Sequence, residues 1–227
     1  MEKRINGLIV KDNVVVGVED INNITEAIIP NGVTSIDNNA FDNCKKLLSV
    51  IIPDSITFIG SYSFFGCESL TNVIIPDSVT LIGFSAFEYC TSLINVSLSN
   101  TLRKIYDNTF WGCSSLKNIT IPESVECIGG FSFCSCTALE EVIFKDNDDN
   151  KCVIEDCAFY DCTSLTNIMF PDRVTYIGDD AFKGCKNLTE VTLKSYAYTN
   201  KNAFNGAPID LKINIIDESD DEANYPW

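Results

Sequence analysis

The residues of this sequence with the greatest capacity for chemistry are its eleven cysteines, and no histidine accompanies them. Without an imidazole group, Ser-His-Asp catalysis, Cys-His catalysis and histidine-based metal sites are all excluded. A tetrathiolate zinc site would need a set such as Cys134, Cys136, Cys157 and Cys162. Because such sites are normally built from C-x-x-C pairs and the sequence contains none, we predict no metal site.

Seven of the cysteines belong to Phe-x-x-Cys pairs that recur at a regular interval. The interval between successive pairs is 23 residues, apart from one interval of 26. The pairs are Phe41/Cys44, Phe64/Cys67, Phe87/Cys90, Phe110/Cys113, Phe133/Cys136, Phe159/Cys162 and Phe182/Cys185. A repeat of this length indicates a solenoid of stacked units. In a solenoid these cysteines share one core position, where thiols pack as small apolar groups, and we predict that they are buried and reduced.

The remaining four cysteines, Cys127, Cys134, Cys152 and Cys157, surround the repeat of irregular length. A Cys127–Cys152 disulfide remains an alternative there, but we favour free thiols because the insertion disturbs the register between these two residues. At the regular core position, replacement of Cys90 by serine is predicted to cost about 1–3 kcal/mol, unless the buried hydroxyl finds a hydrogen-bond partner.

Acidic residues offer a second kind of candidate chemistry. The run Asp146–Asn150 has the composition of a calcium-binding loop, but it lacks the glycine and the terminal glutamate of an EF-hand, and we interpret it as an inserted surface loop. Adjacent pairs such as Glu140/Glu141 and Asp179/Asp180 do not converge on one substrate, because successive residues of a strand point to opposite faces. We therefore predict no catalytic residues, no enzymatic activity and no cofactor.

Each repeat contains the patterns of two short strands and a turn. In the repeat Leu70–Cys90, the alternating residues Val73 and Ile75 predict a strand with one buried face, which Pro76 ends. A second short strand is predicted at Ser78–Gly83, where glycine is expected to permit a turn that other residues adopt at a cost. The stretch from this glycine to the cysteine is too short for a stable helix and is predicted to form one helical turn.

The pattern Leu-x-x-Val-x-Ile-Pro-x-Ser-Val-x-x-Ile-Gly-x-x-Ala-Phe-x-x-Cys at Leu70–Cys90 resembles the BspA-like (treponemal-type) leucine-rich repeat, and the resemblance extends over residues 24–207. It implies a leucine-rich repeat solenoid: a curved, right-handed, β-rich array of about seven to eight 23-residue repeats, with short helical turns and terminal caps. The family occurs largely on bacterial surfaces and in some mucosal protozoa, where it serves adhesion or protein binding.

We expect four segments along the chain. Residues 1–29 are predicted to form an N-terminal β cap, 30–207 the repeat array, 208–216 a closing strand over the last open edge, and 217–227 an acidic tail. The first residues lack the apolar core of a signal peptide, which favours the cytoplasm. The family resemblance instead implies a secreted or cell-surface protein.

The excess of 32 acidic over 16 basic residues gives a formal charge of −16. This charge argues against binding to nucleic acid or to anionic membranes, where lysine and arginine displace counterions. No apolar run reaches the roughly 18 residues that span a bilayer, so membrane insertion is not expected. We expect a monomer whose partner is a protein or a glycan.

The candidate binding surface is a column of outward-facing residues on the longer strand. It consists of Ile51, Ile74, Ser97, Thr120, Ile143, Met169 and Thr192. Exposed contiguous apolar residues mark interaction sites, although β-branched residues also favour strands for their own sake. The alternative surface is the edge formed by Phe65, Trp111 and Tyr160, each of which directly follows a core phenylalanine.

These features together favour a non-catalytic, adhesion-type module that binds a protein or a glycan. The competing interpretation is a structural role, in which the solenoid is a spacer or a component of a surface layer and has no specific ligand. Fold alone does not decide between them, because one architecture supports many functions.

Overall fold

The structure is a computed structural model that describes residues 2–145 and 150–216. The predicted acidic tail at 217–227 lies outside the described residues, as does the predicted loop at 146–150 except for Asn150. Within the described residues the chain forms twenty β-strands and no helix. The strands are arranged as a β-solenoid, which confirms the predicted fold class.

One strand of each repeat contributes to the first face of the solenoid, which we call the sheet face. These strands are β4 (Glu26–Ile28), β6 (Ser49–Ile51), β8 (Asn72–Ile74), β10 (Asn95–Ser97), β12 (Asn118–Ile121), β14 (Glu141–Phe144), β16 (Asn167–Met169), β18 (Glu190–Lys194) and β20 (Lys212–Ile216). In strands such as β8 the residues alternate between exposed and buried, because successive side chains of a strand point to opposite faces.

A second, shorter strand of each repeat forms the second face. These strands are β5 (Ser35–Ile36), β7 (Phe58–Ile59), β9 (Leu81–Ile82), β11 (Lys104–Ile105), β13 (Cys127–Ile128), β15 (Cys152–Ile154), β17 (Val174–Ile177) and β19 (Tyr198–Thr199). The N-terminal strands β1 (Glu2–Ile5), β2 (Leu8–Lys11) and β3 (Val14–Val18) pair antiparallel, and β3 then pairs parallel with β5. The chain therefore starts with a small hairpin cap on the second face.

Strands of neighbouring repeats pair in parallel and in register, so equivalent residues lie side by side. Asn95 is opposite Asn72, and Val96 is opposite Val73, one repeat earlier. Hydrogen-bonded pairing on the sheet face is interrupted between β10 and β12 and between β14 and β16. The second interruption coincides with the insertion of three residues, which lies between β14 and β16 in the sequence.

The sheet face begins with β4 and ends with β20. β4 is already a strand of this face, although it falls within the predicted cap at 1–29. At the other end, β20 pairs parallel with β18 along its five residues and occupies the segment predicted as a closing strand.

Seven phenylalanine rings stack through the core as one column. Neighbouring ring centroids lie 4.8–5.5 Å apart, and the ring planes are inclined by 3–11° to each other. All seven rings are fully buried. This spacing is close to the roughly 4.8 Å that separates paired strands, so the strand pairing and the ring stacking reinforce each other.

The core cysteines are buried as predicted, and six of the seven thiols also have a hydrogen-bond partner. The Cys90 thiol donates to the carbonyl oxygen of Phe64 in the preceding repeat (Sγ···O 3.2 Å), and that carbonyl also accepts the Cys67 amide (3.2 Å). The other five donate in the same way, at Sγ···O distances of 3.2–3.4 Å. A serine at position 90 would therefore find a partner, and its cost falls below the 1–3 kcal/mol expected for an unpaired hydroxyl.

The third face, the turn face, carries the segment for which the sequence predicts a helical turn. Here the chain makes successive turns whose amides bond to the next repeat, as in Phe64 N–H to Ala86 carbonyl (2.8 Å) and Gly66 N–H to Glu88 carbonyl (2.8 Å). The residues two before and two after a core phenylalanine have positive φ in several repeats, such as 57° at Tyr62 and 65° at Gly66. Left-handed residues at these positions prevent a helix from forming.

The glycines that end the second strand have a different role from the predicted one. Gly60, Gly83, Gly129 and Gly178 do not have positive φ. Instead, a Cβ atom at any of them would lie 2.5–2.8 Å from a backbone nitrogen of the preceding repeat. Glycine is therefore required at these positions for the close approach of two backbones rather than for an unusual turn.

A buried arginine, which the sequence reasoning missed, supports the irregular repeat. The Arg173 guanidinium donates to the carbonyl oxygens of Lys145 (3.0 Å), Val125 (2.7 Å) and Pro122 (3.0 Å). The equivalent residues of three other repeats are serines: Ser55, Ser78 and Ser124. The longer donor-rich side chain thus satisfies carbonyl groups next to the insertion that a serine would not reach.

Replacement of Gly83 by alanine is expected to lower the free energy of unfolding by about 2 kcal/mol, because the new Cβ would overlap Ser61 N at 2.5 Å. The measurement is urea denaturation followed by circular dichroism. Gly17→Ala is the matched control, since no atom lies within 4 Å of its added Cβ, and its effect should stay within about 1 kcal/mol. Equal effects of the two substitutions would show that close backbone approach is not the constraint.

Candidate binding surfaces

The predicted sheet-face column lies on the outer side of the paired strands. Ile74 and Met169 are the most exposed members, at 72% and 71%, and Ile51 and Ile143 are also exposed. Ser97 is exposed, whereas Thr120 and Thr192 are half-buried. The structure therefore presents the four apolar members of the column to solvent, in two pairs separated by Ser97 and Thr120.

One further residue belongs to this column. Ile28 on β4 is opposite Ile51 on β6, and it is 42% exposed. Because Ile51 in turn neighbours Ile74 on β8, three isoleucines form a contiguous apolar patch on the first three strands. The sequence reasoning assigned Ile28 to the cap, and the signal that could have found it is the strand pattern Glu26–Ile28, which matches the later repeats.

A polar column runs beside the apolar one, two residues earlier on each strand. Asn72, Asn95 and Asn118 are exposed members of it, and Asn95 Nδ2 donates to Asn72 Oδ1 at 2.8 Å. At the C-terminal end, the polar column contains Glu190, whose Oε1 accepts from Nδ2 of Asn214, the residue opposite Thr192, at 2.8 Å. The residues of the polar column form a polar border along the apolar column.

A shallow groove of about 480 Å³ crosses the sheet face where β14 and β16 belong to separate hydrogen-bonded sheets. Ile143 and Met169 of the predicted column line it, together with Asp172 and Lys194. Lys194 Nζ lies 3.5 Å from Asp172 Oδ1, so one wall carries an ion pair. The groove thus combines apolar side chains with charged groups at its border.

The three residues of the alternative edge do not form one cluster of their own. Phe65 and Trp111 are half-buried and lie two repeats apart, and the ring of Tyr89 contacts both, at centroid distances of 5.7 and 5.9 Å. Tyr62 and Phe131 extend this row of rings at its two ends. Tyr160 is half-buried farther along, where Lys183 Nζ lies 5.7 Å from its ring centroid.

Tyr62, Tyr89 and Phe131 were missed because they occupy different repeat positions from Phe65 and Trp111. Tyr62 and Phe131 come two residues before a core phenylalanine, and Tyr89 comes two residues after one. A search along a single column therefore finds only part of the row. The signal that could have found them is the presence of bulky aromatic residues where other repeats have asparagine or glycine.

The irregular cysteines do not form the disulfide considered above. All eleven cysteines are free, and Cys127 is opposite Val153, so Cys127 and Cys152 point to opposite sides of their strands. The Cys127 thiol donates to Glu155 Oε1 (3.1 Å), which also accepts from Lys104 Nζ (3.1 Å). Burial, followed by the Glu155 carboxylate, raises the pKa of Cys127 to about 12, which makes it a poor nucleophile at neutral pH.

The carboxylate pairs and the thiols show no metal-binding arrangement in residues 2–145 and 150–216. Cys136 and Cys162 of the considered zinc set instead donate to the carbonyls of Phe110 and Phe133. Most of the run considered for calcium, 146–149, lies outside the described residues. Over the described ranges, no helix has the length and apolarity needed to cross a bilayer.

The geometry is that of a leucine-rich repeat solenoid, with parallel strands on two faces and left-handed turns on the third. The family model described as the BspA type leucine rich repeat region matches residues 19–140 and 103–221, in six copies. The chain belongs to this family. Among curated proteins, none matches the chain.

Several solved structures resemble the fold. A leucine rich cell surface protein from Faecalibacterium prausnitzii has 31% sequence identity and a TM-score of 0.72, over 84% of this chain and 54% of that one. A leucine-rich repeat protein from Eubacterium ventriosum has 22% identity and a TM-score of 0.71, over 92% and 50% of the two chains. The T. pallidum leucine rich repeat protein has 23% identity and a TM-score of 0.53, over 99% and 93%. The chain thus spans about half the length of the first two.

The environments of the cysteines lead to a prediction for thiol chemistry. Nine are buried, whereas Cys127 and Cys157 are partly exposed. Burial raises the pKa of Cys44 and Cys185 to about 12, so little thiolate forms at pH 8. Ellman's reagent should count eleven thiols after denaturation without reductant, and at most two, reacting slowly, in the folded protein.

The matched control for this titration is the double variant Cys127→Ser/Cys157→Ser, which should abolish the native-state reaction and leave nine thiols after denaturation. Because the thiolate is the reactive form, the native rate should increase as the pH rises. Nine or fewer thiols in the denatured wild type would contradict the assignment of eleven free cysteines, since one disulfide consumes two.

Proposed function

We propose that the protein is a non-catalytic, adhesion-type binding module of the cell surface, which contacts a protein partner through the sheet-face column. The observation that carries this proposal is the exposure of Ile28, Ile51 and Ile74 on three hydrogen-bonded neighbouring strands. A contiguous exposed apolar patch with a polar border is typical of interaction sites. The surface location is supported by the likeness to a cell surface protein at 31% identity.

The chemistry of the column favours a protein over a glycan as the partner. Its exposed apolar members are aliphatic side chains and one methionine, which bind by burying apolar area in a complementary apolar surface. The strands that carry them are paired in register with their neighbours. Their backbone is therefore already ordered, and association costs little further conformational entropy of the backbone. A spacer without a ligand would not need three isoleucines exposed in succession, since threonine and serine fill the same position at Thr120 and Ser97.

The groove between β14 and β16 extends the same surface. Ile143 and Met169 line it, so a partner that follows the column would meet a second apolar area beyond Ser97 and Thr120. Hot-spot residues in interfaces cluster where a partner removes them from water, and weaker contacts surround them. The proposal therefore has two anchor regions, the patch at Ile28–Ile51–Ile74 and the groove at Ile143–Met169.

Replacement of Ile74 and Ile143 together by lysine is expected to abolish partner capture, because each change places a charge in one anchor region. The intact chain is the bait for surface extracts of host cells, and captured proteins are quantified by mass spectrometry with and without the two changes. Both side chains are exposed, so the thermal midpoint should shift by less than about 3 °C.

The control variant carries the same two added charges on the second face, at the exposed positions Thr57 and Thr80. Thr57→Lys/Thr80→Lys should capture the same proteins as the wild type, which separates loss of the apolar surface from a general effect of charge. Equal capture by the folded Ile74→Lys/Ile143→Lys variant would rule out the sheet face as the contact surface.

A further inference from the structure

Five aromatic side chains form a continuous row on the turn face, which we call the aromatic strip. It runs from Tyr62 through Phe65, Tyr89 and Trp111 to Phe131, with successive ring centroids 5.7–6.0 Å apart. Tyr62, Tyr89 and Phe131 are exposed by 43%, 41% and 42%, and Phe65 and Trp111 are half-buried between them. The strip lies on a different face from the sheet-face column and is not used by the function proposed above.

The backbone beneath the three exposed rings is strained. Tyr62, Tyr89 and Phe131 have φ of 57°, 57° and 56°, in the left-handed region that bulky residues rarely adopt. Other repeats have asparagine at the same two positions: Asn39, Asn43 and Asn108. Asparagine adopts this backbone conformation at little cost. Tyrosine and phenylalanine therefore occupy these positions although asparagine would be favoured by the backbone conformation. Strain of this kind that is kept on a surface points to a function.

The surroundings of the strip are acidic. In the five repeats centred on Phe41, Phe64, Phe87, Phe110 and Phe133, the positions two before, one after and two after the phenylalanine include two carboxylates and neither lysine nor arginine. The carboxylates are Asp42 and Glu88. Glu88 directly follows Phe87, between Phe65 and Trp111 in the same column, and it is only 7% exposed. Burial raises the pKa of its carboxyl, an effect that Ser85 opposes.

Two tyrosine rings elsewhere in the molecule already lie next to a lysine ammonium group. Within the described ranges, Lys104 Nζ lies 5.4 Å from the ring centroid of Tyr106, and Lys183 Nζ lies 5.7 Å from that of Tyr160. Cations are attracted to the faces of aromatic rings, and the attraction increases where carboxylates are nearby and water is partly excluded.

We propose that the aromatic strip binds an extended protein segment that carries arginine or lysine side chains. No lysine or arginine at the strip positions opposes such a segment, and the overall charge of −16 attracts it over a longer range. In an extended segment, alternate side chains lie about 6.6 Å apart, which is close to the spacing of the rings. Cations at every second residue of the segment therefore contact successive rings of the strip.

The test uses a short synthetic peptide of alternating arginine and glycine, with binding measured by isothermal titration calorimetry at about 0.15 M salt to screen bulk charge. The protein variant is Tyr62→Asn/Tyr89→Asn/Phe131→Asn, which removes three rings without changing the charge. Each new asparagine already occupies the equivalent position in another repeat, so the variant should fold and have a thermal midpoint at least as high as the wild type. Its affinity for the peptide should fall about tenfold or more.

Two controls show whether the rings of the strip and the cations of the peptide are both needed for binding. A variant with three asparagines on the sheet face, Ile51→Asn/Ile74→Asn/Met169→Asn, should bind the peptide as the wild type does, because only the aromatic strip is proposed to contact it. A peptide with glutamine in place of arginine should bind at least about tenfold more weakly to the wild type. The sheet-face variant also tests the two proposals independently. If it no longer captures a protein partner, it should still bind the peptide through the aromatic strip.

Three outcomes would overturn the proposal. Equal affinity of the folded strip variant and the wild type would show that the peptide is held by general charge attraction. Equal binding of the glutamine peptide would show that the rings do not select a cation. No measurable binding of the arginine peptide at millimolar concentration would show that the strip does not accept such a segment.

Discussion

The stacking of each repeat on its neighbours is the constraint on which the rest of this structure depends. A single repeat has two strands of two to five residues and one buried phenylalanine, which is too little to bury an apolar face. The neighbouring repeats cover both sides of that ring, and the carbonyl of the phenylalanine accepts the amide of its own cysteine and the thiol of the next one. The Phe-x-x-Cys spacing therefore specifies both the stacking of the rings and the hydrogen bonding of the phenylalanine carbonyl.

The same constraint produces the surfaces. Because paired strands of neighbouring repeats are in register, a side chain that faces solvent in one repeat lies beside the equivalent side chains of the next. Similar side chains at one repeat position therefore form a continuous column. On the sheet face this places Ile28, Ile51 and Ile74 next to one another. On the turn face, rings from three different positions meet because the left-handed turns bring neighbouring repeats close together. Both surfaces therefore depend on the register that the stacked core imposes.

Much of the fold could be predicted from the sequence, because the signals that define it are periodic. The interval between Phe41 and Phe64 gives the repeat, and the alternation of Val73 and Ile75 gives the strand and its buried face. The exposed positions of Ile51 and Ile143 follow from the same alternation. The roles of these residues in binding remain predictions.

The features that the sequence did not predict depend on contacts between residues at different repeat positions. Gly83 is needed because of the Ser61 backbone in the preceding repeat, and Arg173 reaches back across the insertion to carbonyls that precede it in the chain. Tyr89 joins Phe65 to Trp111 only because a left-handed turn directs its ring between them. Such contacts are set by three-dimensional approach, so the spacing of residues along the chain does not reveal them.

The most direct test of the stacking constraint compares Phe87→Leu with Phe41→Leu by equilibrium denaturation. Both rings are fully buried, but Phe87 stacks on Phe64 and Phe110, whereas Phe41 stacks on Phe64 alone. If ring stacking couples the repeats, Phe87→Leu should lower the free energy of unfolding by about 1 kcal/mol more than Phe41→Leu. Equal losses would contradict the account, because they would show that the rings contribute burial but no coupling between repeats.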